Sequence, residues 1–291
     1  MPERPLRLAV ALNGYGLEHA DGRREVLGWE DVARLGRLAE ELGYESIFAP
    51  EIGGWEAFTL LTGLATETER IGLVTGVVPI SAREPERLAM GAASLQGLSG
   101  GRFTLGVGSR VSIARTRAAL RHLRGLLAEG RGTDWANDPH PASIYLAALG
   151  PRMTALAGEM ADGVILNWCT PERVAEAREE IPRRENFTMA VYVRTCLSPV
   201  DEQAHGALRI TASRYARMEP YGRQFEAMGL QPSDTDGLAA AVCVRGDRDL
   251  ARRRFQEYAD AGADVVVVYP VAAGEVVSSL QGTLMAAAPG P

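Results

Sequence analysis

The chain is poor in the features that mark membrane, secreted and nucleic-acid-binding proteins. None of its apolar runs approaches the length of a membrane span, and the opening Met1-Pro2-Glu3-Arg4-Pro5 lacks the apolar core of a secretory leader. There is no basic excess: a formal net charge of -6 and a pI near 5.4 leave nothing to neutralise a phosphate backbone, so nucleic acid is not expected as a partner. Only three cysteines occur, Cys169, Cys196 and Cys243, too far apart for a CxxC pair and odd in number. That excludes a disulfide framework and suits a reducing, cytoplasmic setting. The four histidines, His19, His122, His140 and His205, show no HxH or HExxH spacing, so no metal site is expected. No GxSxG elbow or Walker sequence appears either.

What is present is alternation. Strand-like runs fall at Leu6–Asn13, Ser46–Pro50, Ile71–Val77, Arg102–Gly108, Ser143–Ala148, Gly163–Asn167, Thr188–Cys196 and Asp264–Tyr269. Several, such as Val265-Val266-Val267-Val268, are continuously apolar, the pattern of parallel strands covered on both faces. Between them lie helical patterns. Trp29–Leu42 has apolar residues three or four apart and stops at Gly43; Pro85–Leu98, Ile113–Ala128 and Asp247–Ala261 follow the same logic. Additional helices, Glu202–Arg217 and Tyr221–Met228, precede the last strand. The length of 291 residues and the absence of a composition break point to an α/β fold, a (β/α)8 TIM barrel occupying 1–291 as one domain. A doubly wound sheet with a helical C-terminal region is the competing architecture.

In such a barrel, chemistry sits in the loops after the strands. Those loops carry small residues: Thr75-Gly76-Val77, Gly106-Val107-Gly108-Ser109 and Ala147-Ala148-Leu149-Gly150-Pro151. Glycine there lets a backbone approach a flat ring or a phosphate, and Pro151 opens a helix whose first N–H groups suit an anion. Each loop taken alone also reads as an ordinary tight turn; with Ala49–Phe58 after the second strand and Asn167–Cys169 after the sixth they make five in strand order, which favours a site.

The stretches ERIGLVTGVVPISAREPERLAMGAASLQGLSGGRFTLGVGS (Glu69–Ser109) and YLAALGPRMTALAGEMADGVILNW (Tyr145–Trp168) resemble the luciferase-like monooxygenase family, most closely its coenzyme F420-dependent oxidoreductases. The resemblance implies a luciferase-like barrel and a non-prolyl cis peptide after the third strand, at Thr75–Gly76. It also implies a coenzyme lined by Gly106, Gly108 and Ser109. The coenzyme's phosphate would be received by Ala148, Leu149, Gly150 and Pro151, with Asn167 and Trp168 beside the tail. By position after the second strand, Glu51 is the candidate for proton transfer, and a loop-bonding role is its alternative. Trp55 is a candidate pocket wall or a rim filler, and Cys169 is expected to be an inert buried thiol. Arg83, Arg110 and Arg152 are candidates for a polyanionic tail. One departure from the family is the short link after Gly108, followed by the polar Glu129–Ala142 segment; it implies an open or partner-completed pocket.

The expected function is hydride transfer between F420 and a small C=C, C=N or carbonyl substrate, with a homodimer possible. The alternatives are an FMN-dependent monooxygenase, a non-catalytic cofactor- or partner-binding barrel, and a phosphate-binding isomerase or lyase. The last lacks an identifiable acid–base pair.

Overall fold

A computed structural model describes residues 5–13, 15–18, 24–128, 141–182 and 184–290. Eight parallel strands close on themselves: β1 (Leu8–Ala11), β2 (Ser46–Ala49), β3 (Gly72–Thr75), β4 (Phe103–Gly108), β5 (Ser143–Ala148), β6 (Gly163–Asn167), β7 (Thr188–Cys196) and β8 (Val265–Pro270). Closure comes from β1 pairing with β8, Ala9 opposite Val267, while β7 pairs with both β6 and β8. The barrel expected from the alternation is therefore formed, and the doubly wound sheet is not.

Period-two alternation divides each strand between two cores. Ala9, Ala11, Phe48, Val74, Ile165, Ala190, Tyr192, Val265 and Val267 fill the inside of the barrel. Their neighbours Val10, Ile47, Leu73, Val191, Val266 and Val268 point outward into the shell between strands and helices. This is why the four-valine run reads as featureless: both faces are buried.

The outer ring comprises α1 (Trp29–Glu41), α2 (Ala57–Glu67), α3 (Pro85–Leu98), α4 (Ile113–Ala128), α5 (Pro151–Met160) and α6 (Pro171–Glu180). After an excursion described below, it ends with α10 (Arg248–Asp260) and α11 (Val276–Ala287). Their starts follow local chemistry: Glu56 caps α2 through Thr59 N–H, Thr170 caps α6 through Arg173 N–H, and Asp247 caps α10 through Leu250 N–H. The excursion between β7 and β8 contains α7 (Asp201–Ala216), α8 (Glu219–Ala227) and α9 (Thr235–Val242), packed into a satellite core around Trp168, Phe225 and Leu238. It returns through a short strand, Cys243–Arg245, that pairs in parallel with Arg194–Cys196 of β7. The sequence pattern anticipates α7 and α8 but not α9 or this strand. Nor does it anticipate a hairpin, Tyr15–Glu18 with Arg24–Val26, after β1.

At the N-terminal end of the barrel the segment entering β3 is pinned. Glu40 accepts hydrogen bonds from the backbone N–H groups of Glu69, Arg70 and Ile71, and Arg102 donates to the carbonyls of Ala65, Thr68 and Ile71. Partial burial pushes the Glu40 carboxyl up, but the three N–H groups outweigh it and hold the pKa below the usual carboxylate value. Its contribution is therefore complete above the unfolded-state pKa and lost as pH falls through the lower folded-state value. Glu40→Gln is expected to cost roughly 1–3 kcal/mol at pH 7. The gap from the parent should close as pH drops below about 4. Urea unfolding at both pH values measures this; a gap independent of pH would show that the charge is not what matters.

Candidate functional site at the strand C-terminal ends

The C-terminal mouth has two unlike halves. On the β3–β5 side the backbone is bare. A non-prolyl cis peptide is present, but between Gly76 and Val77, one residue beyond the expected Thr75–Gly76. Thr75 does not face the mouth at all. It is fully buried, accepting from Gly106 N–H at 2.8 Å and donating to Gly106 C=O at 2.9 Å. A Cβ on Gly106 would overlap the Thr75 carbonyl, and one on Gly108 would stand 2.6 Å from Val77 Cγ2. These two glycines are therefore demanded first by strand packing. Ser109 is turned to Thr116 and Val111 in the link to α4.

The β5–α5 junction is open. Gly150 is the N-cap of α5 in extended conformation, without a side-chain cap, and the space where a Cβ would project is empty to 4 Å. In the first turn Pro151 has no N–H and Met153 N–H donates to the Gly150 carbonyl at 3.1 Å, so Arg152 N–H remains, with the positive dipole end, to suit a phosphate. Leu149 and Pro151 flank it. The Ala148 side chain belongs to the outer shell, which leaves only its backbone for a ligand, and Ala147 is the β5 residue that faces inward. Arg110 after β4 and Arg152 in the first turn of α5 pair with no carboxylate among the described residues.

Glu51 and Arg83 are engaged with each other. Arg83 Nη1 and Nη2 reach the two Glu51 oxygens at 2.7 and 2.8 Å, and Nη2 also donates to Glu56 at 2.7 Å. The Glu51 hydrogen bonds raise the Arg83 pKa, keeping the guanidinium charged. Arg83 is thereby removed from the set of arginines open to a ligand. Trp55 donates from Nε1 to the Leu27 carbonyl at 3.1 Å and meets Trp29 edge-on, fastening the loop after β2 to the start of α1.

The β1, β6, β7 and β8 side is aromatic and amide-rich. Tyr192 stands in the barrel centre with its hydroxyl donating to the Gly76 carbonyl at 2.6 Å. Above it on the inward face of β7 is Arg194, 3 % exposed. Its guanidinium carbon lies 4.1 Å from the ring centre of Tyr269, 4.6 Å from Trp168, 5.3 Å from Tyr215 and 5.6 Å from Tyr192. Cation–π contacts of this kind contribute about 0.5–2 kcal/mol each. Asn167 accepts from Arg194 and donates to Tyr221, while Asn13 donates to the Tyr269 hydroxyl at 2.7 Å.

Trp168, expected beside the coenzyme's tail, is 1 % exposed, packed against Tyr215 and Phe225. Its φ of 56° is left-handed, a conformation costing about 1–3 kcal/mol for a residue with a side chain. Gln224 holds it by donating to the carbonyls of Asn167 and Trp168, both at 2.8 Å. Cys169 is the inert thiol anticipated, its pKa pushed up by burial to about 12.

The sequence reading missed Arg194, Tyr192, Tyr269, Tyr215, Tyr221 and Asn13. One signal was present: in Thr188–Cys196 an arginine interrupts an otherwise apolar run two residues after a tyrosine, on the same face. No cluster of metal-binding side chains occurs among the described residues; His19 and His140 lie outside them. Nor does any described helix have the length and apolar character to cross a membrane. A cavity of about 570 Å³ lies at the opposite end of the barrel, beside Leu6, Leu8, Arg252 and Gly290, away from the strand ends.

The fold is a (β/α)8 barrel whose strand C-terminal ends open beside the uncapped start of α5. The luciferase-like monooxygenase family model matches residues 14–112 and 110–265, and the chain belongs to that family. It is 29% identical to the 5,10-methylenetetrahydromethanopterin reductase of Methanolobus tindarius, the match covering 81% of this chain and 89% of that one. The fold is shared with the coenzyme F420 dependent tetrahydromethanopterin reductase of Methanopyrus kandleri, with TM-score 0.70 and 18% identity, over 95% of this chain and 96% of that one. It is also shared with a type II Baeyer-Villiger monooxygenase of Pseudomonas putida in complex with FMN, with TM-score 0.69, 14% identity and 98% coverage of both chains.

Proposed function

We propose that this enzyme binds coenzyme F420 across the strand-end mouth and carries out hydride transfer to or from a small substrate with a C=C, C=N or carbonyl group. The observation that carries the reading is the open N-terminus of α5 at Gly150, with Arg110 and Arg152 uncommitted nearby. A phosphate fits the helix end, and two free guanidinium groups suit the anionic groups beyond it. The coenzyme F420 dependent reductase that shares the fold, and curated relatives whose names carry F420, support the same choice.

When bound, the coenzyme supplies or accepts the hydride. The protein's part is to position and shield. The Gly150 cap and the Arg152 N–H that follows Pro151 would receive the phosphate, with Leu149 and the Ala148 backbone beside them. Gly76, Val77 and Gly108 present flat backbone to the ring, held in place by Thr75 and Gly106. Asn167 joins the two halves of the mouth. Glu51, in its bidentate pair with Arg83, serves in this reading as a positioning residue for the loop after β2, and it handles a proton only when Arg83 turns away. Trp55 keeps that loop against α1.

FMN-dependent monooxygenation is the second reading, favoured by the same helix end, which also fits a phosphate monoester. Parallel titrations with F420 and FMN, followed by coenzyme fluorescence, distinguish them. Saturable F420 binding in the micromolar range, with FMN weaker, is expected. Tight FMN binding together with oxygen consumption in the presence of reduced FMN would replace the first reading with the second, and failure of both coenzymes to bind would remove both.

A further inference from the structure

One charge in the mouth, that of Arg194, meets no carboxylate among the described residues. Arg194 Nη1 donates to Asn167 Oδ1, but its Nε is buried without a partner, and Nη2 makes no hydrogen bond among the described residues. No carboxylate pairs with it among those residues. Burial raises the pKa of Tyr192 and Tyr221, and pushes the Cys243 thiol up to about 12, so these three groups bring no negative charge to it. Aromatic faces and one amide soften the cost of burying the cation, yet they leave its charge uncancelled.

We infer that Arg194 determines substrate specificity by taking a carboxylate of the substrate on its free Nε–Nη2 edge, within a box of Tyr192, Tyr215, Tyr269 and Trp168. The inference rests on the mouth being the substrate side of the proposed oxidoreductase. Nε–H and one Nη2–H project in parallel from one edge of the guanidinium, matching the two oxygens of a planar carboxylate. The occupied Nη1 faces the other way, to Asn167, and fixes the plane of the group. Tyr269 and Trp168 lie closest to the guanidinium carbon, so a carboxylate taken on that edge would have flat apolar rings as its neighbours. Flat, conjugated acids suit such walls better than hydrated or tetrahedral anions. The left-handed Trp168 backbone, held by Gln224, brings its indole onto the cation.

The intact chain, without coenzyme, is titrated with crotonate, benzoate and cinnamate beside the matching neutral amides and inorganic phosphate. Tryptophan fluorescence reports binding, because Trp168 touches the guanidinium. At least one carboxylate should saturate, with its amide roughly tenfold weaker or more. Arg194→Met should abolish the preference for acid over amide. Asn167→Asp, nearly identical in shape, places a carboxylate of the protein against the same cation and should weaken carboxylate binding with the melting temperature little changed. The inference is overturned if no carboxylate saturates, if phosphate binds more tightly than every carboxylate, or if the acid–amide preference survives in both variants. Coenzyme titration is scored separately. Loss of coenzyme binding with carboxylate binding intact removes the oxidoreductase reading and leaves the anion site; the reverse removes the anion site alone.

Discussion

Gly76→Ala is expected to be among the most damaging single-methyl substitutions in this chain. A Cβ at that position would overlap the Tyr192 hydroxyl and stand 3.1 Å from Phe48 Cβ and 3.2 Å from its ring. Neither neighbour can retreat: Tyr192 and Phe48 are 4 % and 1 % exposed in the barrel centre, packed edge to face at 5.8 Å. Overpacking of this kind costs about 3 kcal/mol or more. For a chain of this size that lowers the melting temperature by roughly 5 °C. Tyr192→Phe alone should cost only about 1–2 kcal/mol, from the lost hydrogen bond to Gly76. In the double variant the worst overlap is gone, so the two losses should fall well short of additive. Additive losses in thermal or urea unfolding would mean that the backbone, rather than the tyrosine, sets the limit. Gly106→Ala is a useful contrast, because its added methyl meets the Thr75 carbonyl and no side-chain truncation can relieve it.

Gly150→Asp should separate stability from coenzyme binding. The N-cap backbone is extended, with φ -107° and ψ 168°, and the position is open, so aspartate fits without strain. As a cap it should leave stability equal or raise it by a few tenths of a kcal/mol. Its carboxylate would then occupy the helix end where the phosphate is proposed to sit, adding repulsion to the loss of donors. Coenzyme affinity is expected to fall by about 100-fold, equivalent to roughly 3 kcal/mol. An unchanged dissociation constant in a stable variant would place the phosphate elsewhere.

The contrast between fold and site shows what kinds of information local sequence carries. The strands Ser143–Ala148, Gly163–Asn167 and Thr188–Cys196 run in the structure over the bounds that their composition suggests. Composition and punctuation by glycine and proline are local properties, and they suffice for element limits. Inward and outward parity is not local in a barrel, where both faces of a strand are apolar. The sequence therefore does not distinguish Ala147, which has the inward face, from Ala148, nor does it single out Arg194. The cis peptide fell one residue late for a related reason: Gly76 has glycine's freedom, but the bond's position is set by contacts with β2, β4 and Tyr192. Thr75 and Glu51 were placed in the right loops and given ligand-facing roles. Their side chains are instead satisfied by Gly106 and Arg83, partners 31 and 32 positions away in sequence. The α9 helix and the strand Cys243–Arg245 are too short for their periodicity to stand out.

The short strand Cys243–Arg245 lies against Arg194–Cys196, so the segment holding α7, α8 and α9 leaves and rejoins the barrel at adjacent points. An excursion with its ends side by side can lengthen, shorten or change sequence with little strain on ring closure, because the span its ends must bridge stays constant. Tyr215 and Tyr221, carried on that excursion, press on Arg194 and Asn167, which belong to the ring itself. Descendants of this gene can therefore exchange one wall of the mouth as a cassette while the strands, the bare glycine edge and the α5 helix end are inherited unchanged.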